Sequence, residues 1–297
     1  MGHLKKRIVF LGDSITENGG YIRYLEAYFL ENPPQGDLEF INLGVGGEMV
    51  AGMSEPGLEE PRPWLFERLD RALEESSPDW VFICYGMNDG IYYSYREDIY
   101  EAYCSGIRKA VDRVRETGAR VILMTPPPFD LSSVPAERTP LGEGAEVYGY
   151  DTPYEGYNDV LGRFAQYIRQ FGGESGYTVV DLRDAVMSYI QSRREEDPDY
   201  IYGDAVHPED DGHWVMAKAI LHSVFHVELE HTPEWAASNE GEFIRLLTER
   251  RYLLSTAWRE HVGHSNAYKA ETPPLKEALR IAEQMTVKLD ELCHIRK

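Results

Sequence analysis

In the stretch Arg7-Ile8-Val9-Phe10-Leu11-Gly12-Asp13-Ser14-Ile15-Thr16, a short unbroken apolar run ends on a Gly-Asp-Ser turn that leads into helical sequence. An apolar run without alternation suits a parallel strand covered on both faces. Four more runs of this kind follow, at residues 38–43, 80–85, 120–124 and 177–182. Amphipathic helical spacing lies between and after them, near residues 21–30, 64–74, 97–116, 154–171 and 184–195. Strands alternating with helices predict a three-layer α/β sandwich with right-handed crossovers. Residues 126–153 break this rhythm with Pro126-Pro127-Pro128, several glycines and Tyr148 and Tyr150. A connection this long is a functional or a mobile loop, and its start after the fourth strand places it at the edge where open α/β sheets bind ligands.

The sequence changes character after about residue 231. Strand patterns stop, and residues 240–262 and 273–293 carry helical spacing, the second opened by Thr272-Pro273-Pro274 as cap and first turn. The expected organisation is a main domain over 1–230 and a C-terminal helical extension over 231–297. The ordinary role of such a hairpin is to pack against the main domain; a lid or a dimer contact is the sharper alternative.

The 297 residues hold 30 Lys and Arg against 51 Asp and Glu, a net charge of −21. A surface this acidic repels phosphate backbones and anionic headgroups, so neither nucleic acid nor a membrane is expected as partner. A homo-oligomer stays open. Three cysteines at irregular spacing, Cys84, Cys104 and Cys293, make neither a disulfide framework nor a zinc signature. The apolar run after Lys5-Lys6-Arg7 is too short for a signal peptide or a span, and Lys6 stands where myristoylation of Gly2 needs Ser or Thr. A cytoplasmic location is the expectation.

Four motifs carry chemistry. Ser14 sits on a tight strand-to-helix turn, which exposes a nucleophile next to backbone donors; the competing reading is that Ser14 or Asp13 only caps the helix. Asp204-Ala205-Val206-His207 spaces a carboxylate and an imidazole so that one turn presents both, as a general base and its orienting group require. His207 also has Asp210, Asp211 and His213 nearby, a donor set that with Asp204 suits a divalent cation. No second ligand cluster accompanies it, so no metal and no cofactor are expected. Gly86-Met87-Asn88-Asp89 follows the third strand, where an Asn side chain can donate to a developing oxyanion or merely close a turn. Asn42-Leu43-Gly44-Val45-Gly46-Gly47-Glu48 follows the second strand, and its glycines allow close backbone approach to a ligand, though the spacing fits no nucleotide-binding fingerprint. Each motif has a plain structural alternative. Together they place a nucleophile, a base and oxyanion donors at successive strand ends.

In these blocks the chain resembles the SGNH/GDSL hydrolases. Gly12-Asp13-Ser14, Gly47, Gly86-Met87-Asn88-Asp89 and Asp204-Ala205-Val206-His207 match the four family blocks in order, over about residues 5–226. The resemblance implies a flavodoxin-like α/β/α sandwich on a parallel five-stranded sheet. It also implies a Ser14–His207–Asp204 triad and an oxyanion hole from the Ser14 and Gly47 N–H groups and the Asn88 side chain. Gly46 departs from the Ser often found before the second-block glycine. The first two strand–helix units look like bacterial acetylxylan-esterase members, which favours a short-chain, acetyl-type ester of a small molecule or oligosaccharide. Asp13, Tyr92 and Tyr148 are the weaker candidates for substrate contact, tyrosines being able to stack on sugar rings. The alternatives are a lysophospholipase or thioesterase, a catalytically idle carbohydrate-binding relative, and a metal-dependent phosphoesterase.

Overall fold

β1 (Lys6–Gly12) has residues 8–11 fully buried on both faces, so it belongs inside a sheet with helices on each side. It pairs in parallel with β2 (Leu38–Asn42) on one edge and β3 (Trp80–Cys84) on the other. β4 (Arg120–Met124) and β5 (Thr178–Val180) extend the sheet, giving the order β2-β1-β3-β4-β5 with every pair parallel. This is the flavodoxin-like order, and the chain reverses its direction of travel across the sheet between β1 and β3. The structure, a computed structural model, describes residues 5–34, 36–229, 231–237 and 241–296. Gly2, residue 230 at the expected domain boundary, and Glu240 at the expected start of the first tail helix lie outside the described residues.

Right-handed crossovers put the helices on opposite faces according to the direction of travel. α1 (Ser14–Asn18) and α2 (Gly20–Glu31) connect β1 to β2. α3 (Leu69–Ser76), α4 (Glu97–Glu116) and α5 (Tyr157–Ser175) lie in sequence on the other face. α6 (Leu182–Glu196) and α7 (Asp210–Phe225) return to the first face, where α7 packs on α2 and α6 on α7. Three segments differ from the sequence expectation. The helix expected over residues 64–74 is a short 3-10 turn at Leu65–Glu67 followed by α3, because Arg68 between them is drawn inward to pair with the buried Glu48. β5 stops at Val180, because the Asp181 side chain caps α6. α7 is absent from the amphipathic segments, because it is buried on several sides and shows no polar stripe.

The tail is a helical hairpin. α8 (Glu234–Ala237) is one turn; α9 (Glu242–Val262) and α10 (Leu275–Arg296) pack on each other. α9 lies along β2, α2 and α3, and Arg251 Nη1 donates to the Phe40 carbonyl of the edge strand β2 at 2.7 Å. The three cysteines are free and buried. Among the described residues, no helix is long and apolar enough to cross a membrane.

Candidate active site

Ser14 is the first residue of α1, directly beyond β1, and Asp13 is that helix's N-cap, accepting from the Ile15 N–H at 3.0 Å. The two readings of the turn are therefore divided between neighbours: Asp13 caps and Ser14 is left at the surface of the sheet's C-terminal edge. Burial pushes the Asp13 carboxyl up to about 6, against the Ile15 N–H bond and nearby His207, which favour the ionised form.

His207 reaches Ser14 from the segment between β5 and α7. Its Nε2 lies 2.7 Å from Ser14 Oγ, and its Nδ1 lies 2.9 Å from Asp204 Oδ2. Asp204 Oδ1 accepts the backbone N–H groups of Val206, at 3.1 Å, and His207, at 2.7 Å. Burial alone would raise the Asp204 carboxyl; the side-chain and backbone hydrogen bonds of His207 overcome it and hold the group well below the usual carboxylate range. The turn that makes this possible is strained. Ala205 has φ +77° while fully buried, in the region that side chains other than glycine disfavour. At Gly203 a Cβ would lie 1.8 Å from the His207 carbonyl oxygen, so only glycine lets the turn close on itself.

The two other expected oxyanion donors, Gly47 and Asn88, lie beyond the ends of β2 and β3. The loop after β2 crosses toward β1, with Val45 N–H on the Gly12 carbonyl at 3.0 Å, and Gly47 follows with φ +73°. Asn88 Nδ2 donates to the Glu48 carbonyl at 3.3 Å, and its Oδ1 accepts from Arg62 Nη1 at 3.0 Å. A guanidinium can only donate, so Arg62 fixes which end of the Asn88 amide is the donor. Arg62 is itself held by Glu55, with Nε to Oε2 at 2.7 Å. Its Nη1 lies 3.5 Å from where a Gly47 Cβ would be, which brings Gly47 and Asn88 together. Beneath them Arg68 and Glu48 form a buried two-point ion pair, both contacts 2.6 Å, and the Tyr85 hydroxyl donates to Glu48 at 2.5 Å. Asp89 is fully buried; its Oδ1 accepts from Val50 N–H at 2.9 Å and Ala51 N–H at 2.8 Å, and burial pushes it up to about 7.

The remaining expected residues lie elsewhere. Tyr92 is buried, its ring against Tyr150 and Tyr157 with the Arg62 guanidinium 5.5 Å from its centroid. Tyr148 is buried too, its hydroxyl donating to the Gly142 carbonyl and accepting from Ala145 N–H. The four residues of the cation alternative are drawn apart. Asp204 serves His207, Asp210 pairs with Arg23 at 2.5 Å, Asp211 accepts from Tyr189 and Tyr200, and His213 is buried with neither ring nitrogen hydrogen-bonded, pushed down to about 3 by burial. Among the described residues no three His, Cys, Asp or Glu side chains are grouped to hold a metal ion.

The long loop contributes residues that no motif announced. It is ordered by its own bonds, Thr139 N–H to Asp151 O and Leu141 N–H to Pro153 O, and by Asp130 N–H on Ala205 O. It places Arg138 Nη2 at 3.2 Å and the Tyr150 hydroxyl at 3.1 Å from Asp204 Oδ2, with Arg138 Nη1 on the Asp204 carbonyl. Arg62, Glu55 and Arg138 lie outside the four blocks, and Gly203 directly precedes the last of them. The one available signal was the loop's position at the C-terminal edge of β4.

A serine in contact with an imidazole at the C-terminal edge of this sheet, with a glycine and an amide side chain on the adjoining loops, is an arrangement that suits a carboxylic ester hydrolase. Residues 10–215 match the GDSL-like Lipase/Acylhydrolase family. The chain belongs to that family. It is similar to an acetylxylan esterase of Geobacillus stearothermophilus, 22% identical over 240 residues that make up 74% of this chain and 94% of the relative. The solved structure of an acetylxylan esterase from that organism matches with TM-score 0.53 and 22% identity, over 75% of this chain and 96% of the other. Another solved acetyl xylan esterase matches with TM-score 0.55 and 19% identity, over 73% and 99%. A gut microbial diltiazem-metabolizing enzyme gives TM-score 0.57 and 22% identity over 75% of this chain, which spans 47% of that longer one. At these identities the structural likeness establishes the fold. The family match ends inside α7, so the α9–α10 hairpin lies beyond it.

Proposed function

We propose that this enzyme removes short acyl groups, acetyl foremost, from hydroxyls of a carbohydrate, through a Ser14–His207–Asp204 relay. The observation that carries the reading is the continuous contact from Ser14 Oγ through both His207 ring nitrogens to Asp204, at 2.7 and 2.9 Å. With Asp204 ionised, His207 carries its proton on Nδ1 and offers the Nε2 lone pair to Ser14. Ser14 Oγ attacks the ester carbonyl while its proton passes to Nε2. The carbonyl oxygen becomes an oxyanion facing the Ser14 and Gly47 N–H groups and the Asn88 amide. Collapse breaks the bond to the alcohol, which leaves with the proton from Nε2. Water then attacks the acyl-Ser14 ester, again giving a proton to Nε2, and the carboxylic acid departs as Ser14 regains its proton. The acetylxylan esterases among the relatives support the acetyl and sugar parts of the proposal.

The test is a scan of p-nitrophenyl esters from acetate to octanoate together with acetylated xylo-oligosaccharides. The expected result is highest kcat/KM on acetyl groups, sugar acetates included, and loss of all turnover in Ser14→Ala. A rate rising steadily toward octanoate overturns the substrate assignment, and wild-type turnover in Ser14→Ala overturns the nucleophile. Fluorophosphonate labelling of the wild-type enzyme at Ser14 is expected in either substrate case.

A further inference from the structure

The segment that supplies Gly47 contains two adjacent glycines, Gly46 and Gly47, and glycine pairs restrain a peptide plane poorly. Each polar group of Gly46 is nevertheless held. Its N–H donates to Glu17 Oε2 at 2.5 Å, and its carbonyl accepts from Asn266 Nδ2 at 2.9 Å. Glu17 is in turn paired with Arg259, Oε1 to Nη2 at 3.2 Å, and Arg259 Nη1 reaches the Gly44 carbonyl at 3.4 Å. Asn266 is oriented by its own backbone: its Oδ1 accepts from Tyr268 N–H at 2.9 Å, which leaves its Nδ2 as the donor toward Gly46. Arg259 is on α9 and Asn266 in the connection to α10. Both belong to the extension beyond the family match.

The Gly46 carbonyl and the Gly47 N–H are the two ends of one peptide unit. In a planar trans peptide they point in opposite directions. A donor fixed on the Gly46 carbonyl therefore fixes the direction of the Gly47 N–H. We infer that Asn266, with Arg259 acting through Glu17, is a positioning residue for the oxyanion hole, so that the C-terminal hairpin completes the active site from behind. The inference rests on the serine-esterase reading above. The seam between hairpin and main domain is not tightly filled: a cavity of about 440 Å³ lies between α9 and the main domain, with Glu17 and Arg259 in its wall. Glu17 and Arg259 thus meet across a seam lined largely by polar side chains. Asn266 is partly exposed, so its replacement leaves the core intact.

The experiment uses the full chain and the variants Asn266→Ala, Asn266→Asp and Arg259→Gln. The aspartate keeps the size of the amide but sets a second acceptor against the Gly46 carbonyl. Losing an oxyanion donor outright costs about 10²–10³-fold in kcat, and loosening one costs less. The expected result is a drop in kcat of about tenfold in Asn266→Ala, a larger drop in Asn266→Asp, and KM within about twofold of wild type. Affinity for a boronic acid that forms a tetrahedral adduct on Ser14 should fall in proportion to kcat/KM across the series, a correlation that a merely structural role does not produce. Thermal midpoints should stay near wild type in both Asn266 variants. Turnover within twofold of wild type in both Asn266 variants overturns the inference, as does a loss of kcat matched by loss of fluorophosphonate-titratable Ser14. Failure of the wild-type enzyme to label at Ser14 strikes the serine-esterase reading itself, so the two failures are distinguishable.

Discussion

The two flanks of Ser14 are built differently. On the flank proposed to receive the oxyanion, Gly47 and Asn88 stand on buried charge: Arg68 against Glu48, and Arg62 against Glu55. On the base flank, His207 and Asp204 are each about one-third exposed, on a strained turn steadied by a long loop. A donor that must be in place before charge develops gains from rigid surroundings. In the proposed cycle the base passes a proton to the leaving alcohol and later takes one from water, and solvent access suits both transfers. The contrast teaches that burial in this site follows the task of each group and not its distance from the serine.

Four changes would break or sharpen the contrast. Asp204→Ala removes the partner that sets the His207 tautomer, and kcat on p-nitrophenyl acetate should fall about 10⁴-fold with the fold retained. Arg68→Ala acts on the other flank and should register first as stability. It leaves Glu48 buried without its cation, and urea unfolding should show a loss of about 3–5 kcal/mol; an unchanged midpoint would mean the flank does not depend on that pair. Asp89→Asn concerns the same flank through pH. The folded Asp89 carboxyl titrates near 7 against 3.8 in an unconstrained chain, so the stability tied to its protonated form is complete below about pH 4 and is lost as pH rises through 7. The amide keeps the acceptor for Val50 and Ala51 and cannot ionise. The variant should therefore match wild type at pH 4 and exceed it by roughly 4 kcal/mol at pH 8, as read from denaturant midpoints at both values. A constant difference across that range would show that Asp89 does not titrate. The smallest effect is expected from Arg138→Gln. It removes one of the two side chains that brace Asp204 Oδ2 and leaves the Tyr150 hydroxyl in place, so kcat on p-nitrophenyl acetate should fall by less than about tenfold.

The fold and the motif residues on both flanks were visible in the sequence. The run from residue 7 to residue 11 reads as a doubly covered strand because nothing polar interrupts it, and the other strand cores follow the same rule. Ser14, Asn88 and His207 were legible because each lies within a few residues of a strand end or a helix start. Their supports were not. Arg62 reaches Asn88 across 26 residues, Arg138 reaches Asp204 across 66, and Asn266 reaches Gly46 across 220. Such contacts are set by where loops and helices dock, and local spacing holds no record of docking. Tyr92 and Tyr148 show the converse. Their composition suggested a sugar platform, yet both rings turn inward, because a tyrosine is large enough to fill a core once its hydroxyl finds a carbonyl or a solvated rim.

The bond from Arg251 to the Phe40 carbonyl has a consequence for neighbouring molecules. A parallel sheet ending in a bare strand offers a template on which another chain can add. Here a guanidinium occupies one of that strand's outward acceptors, and α9 stands along the rest of it. Copies of this protein therefore cannot join into a continuous ribbon through that border. Truncating the hairpin would uncover that edge for pairing as well as remove the contacts to Gly46.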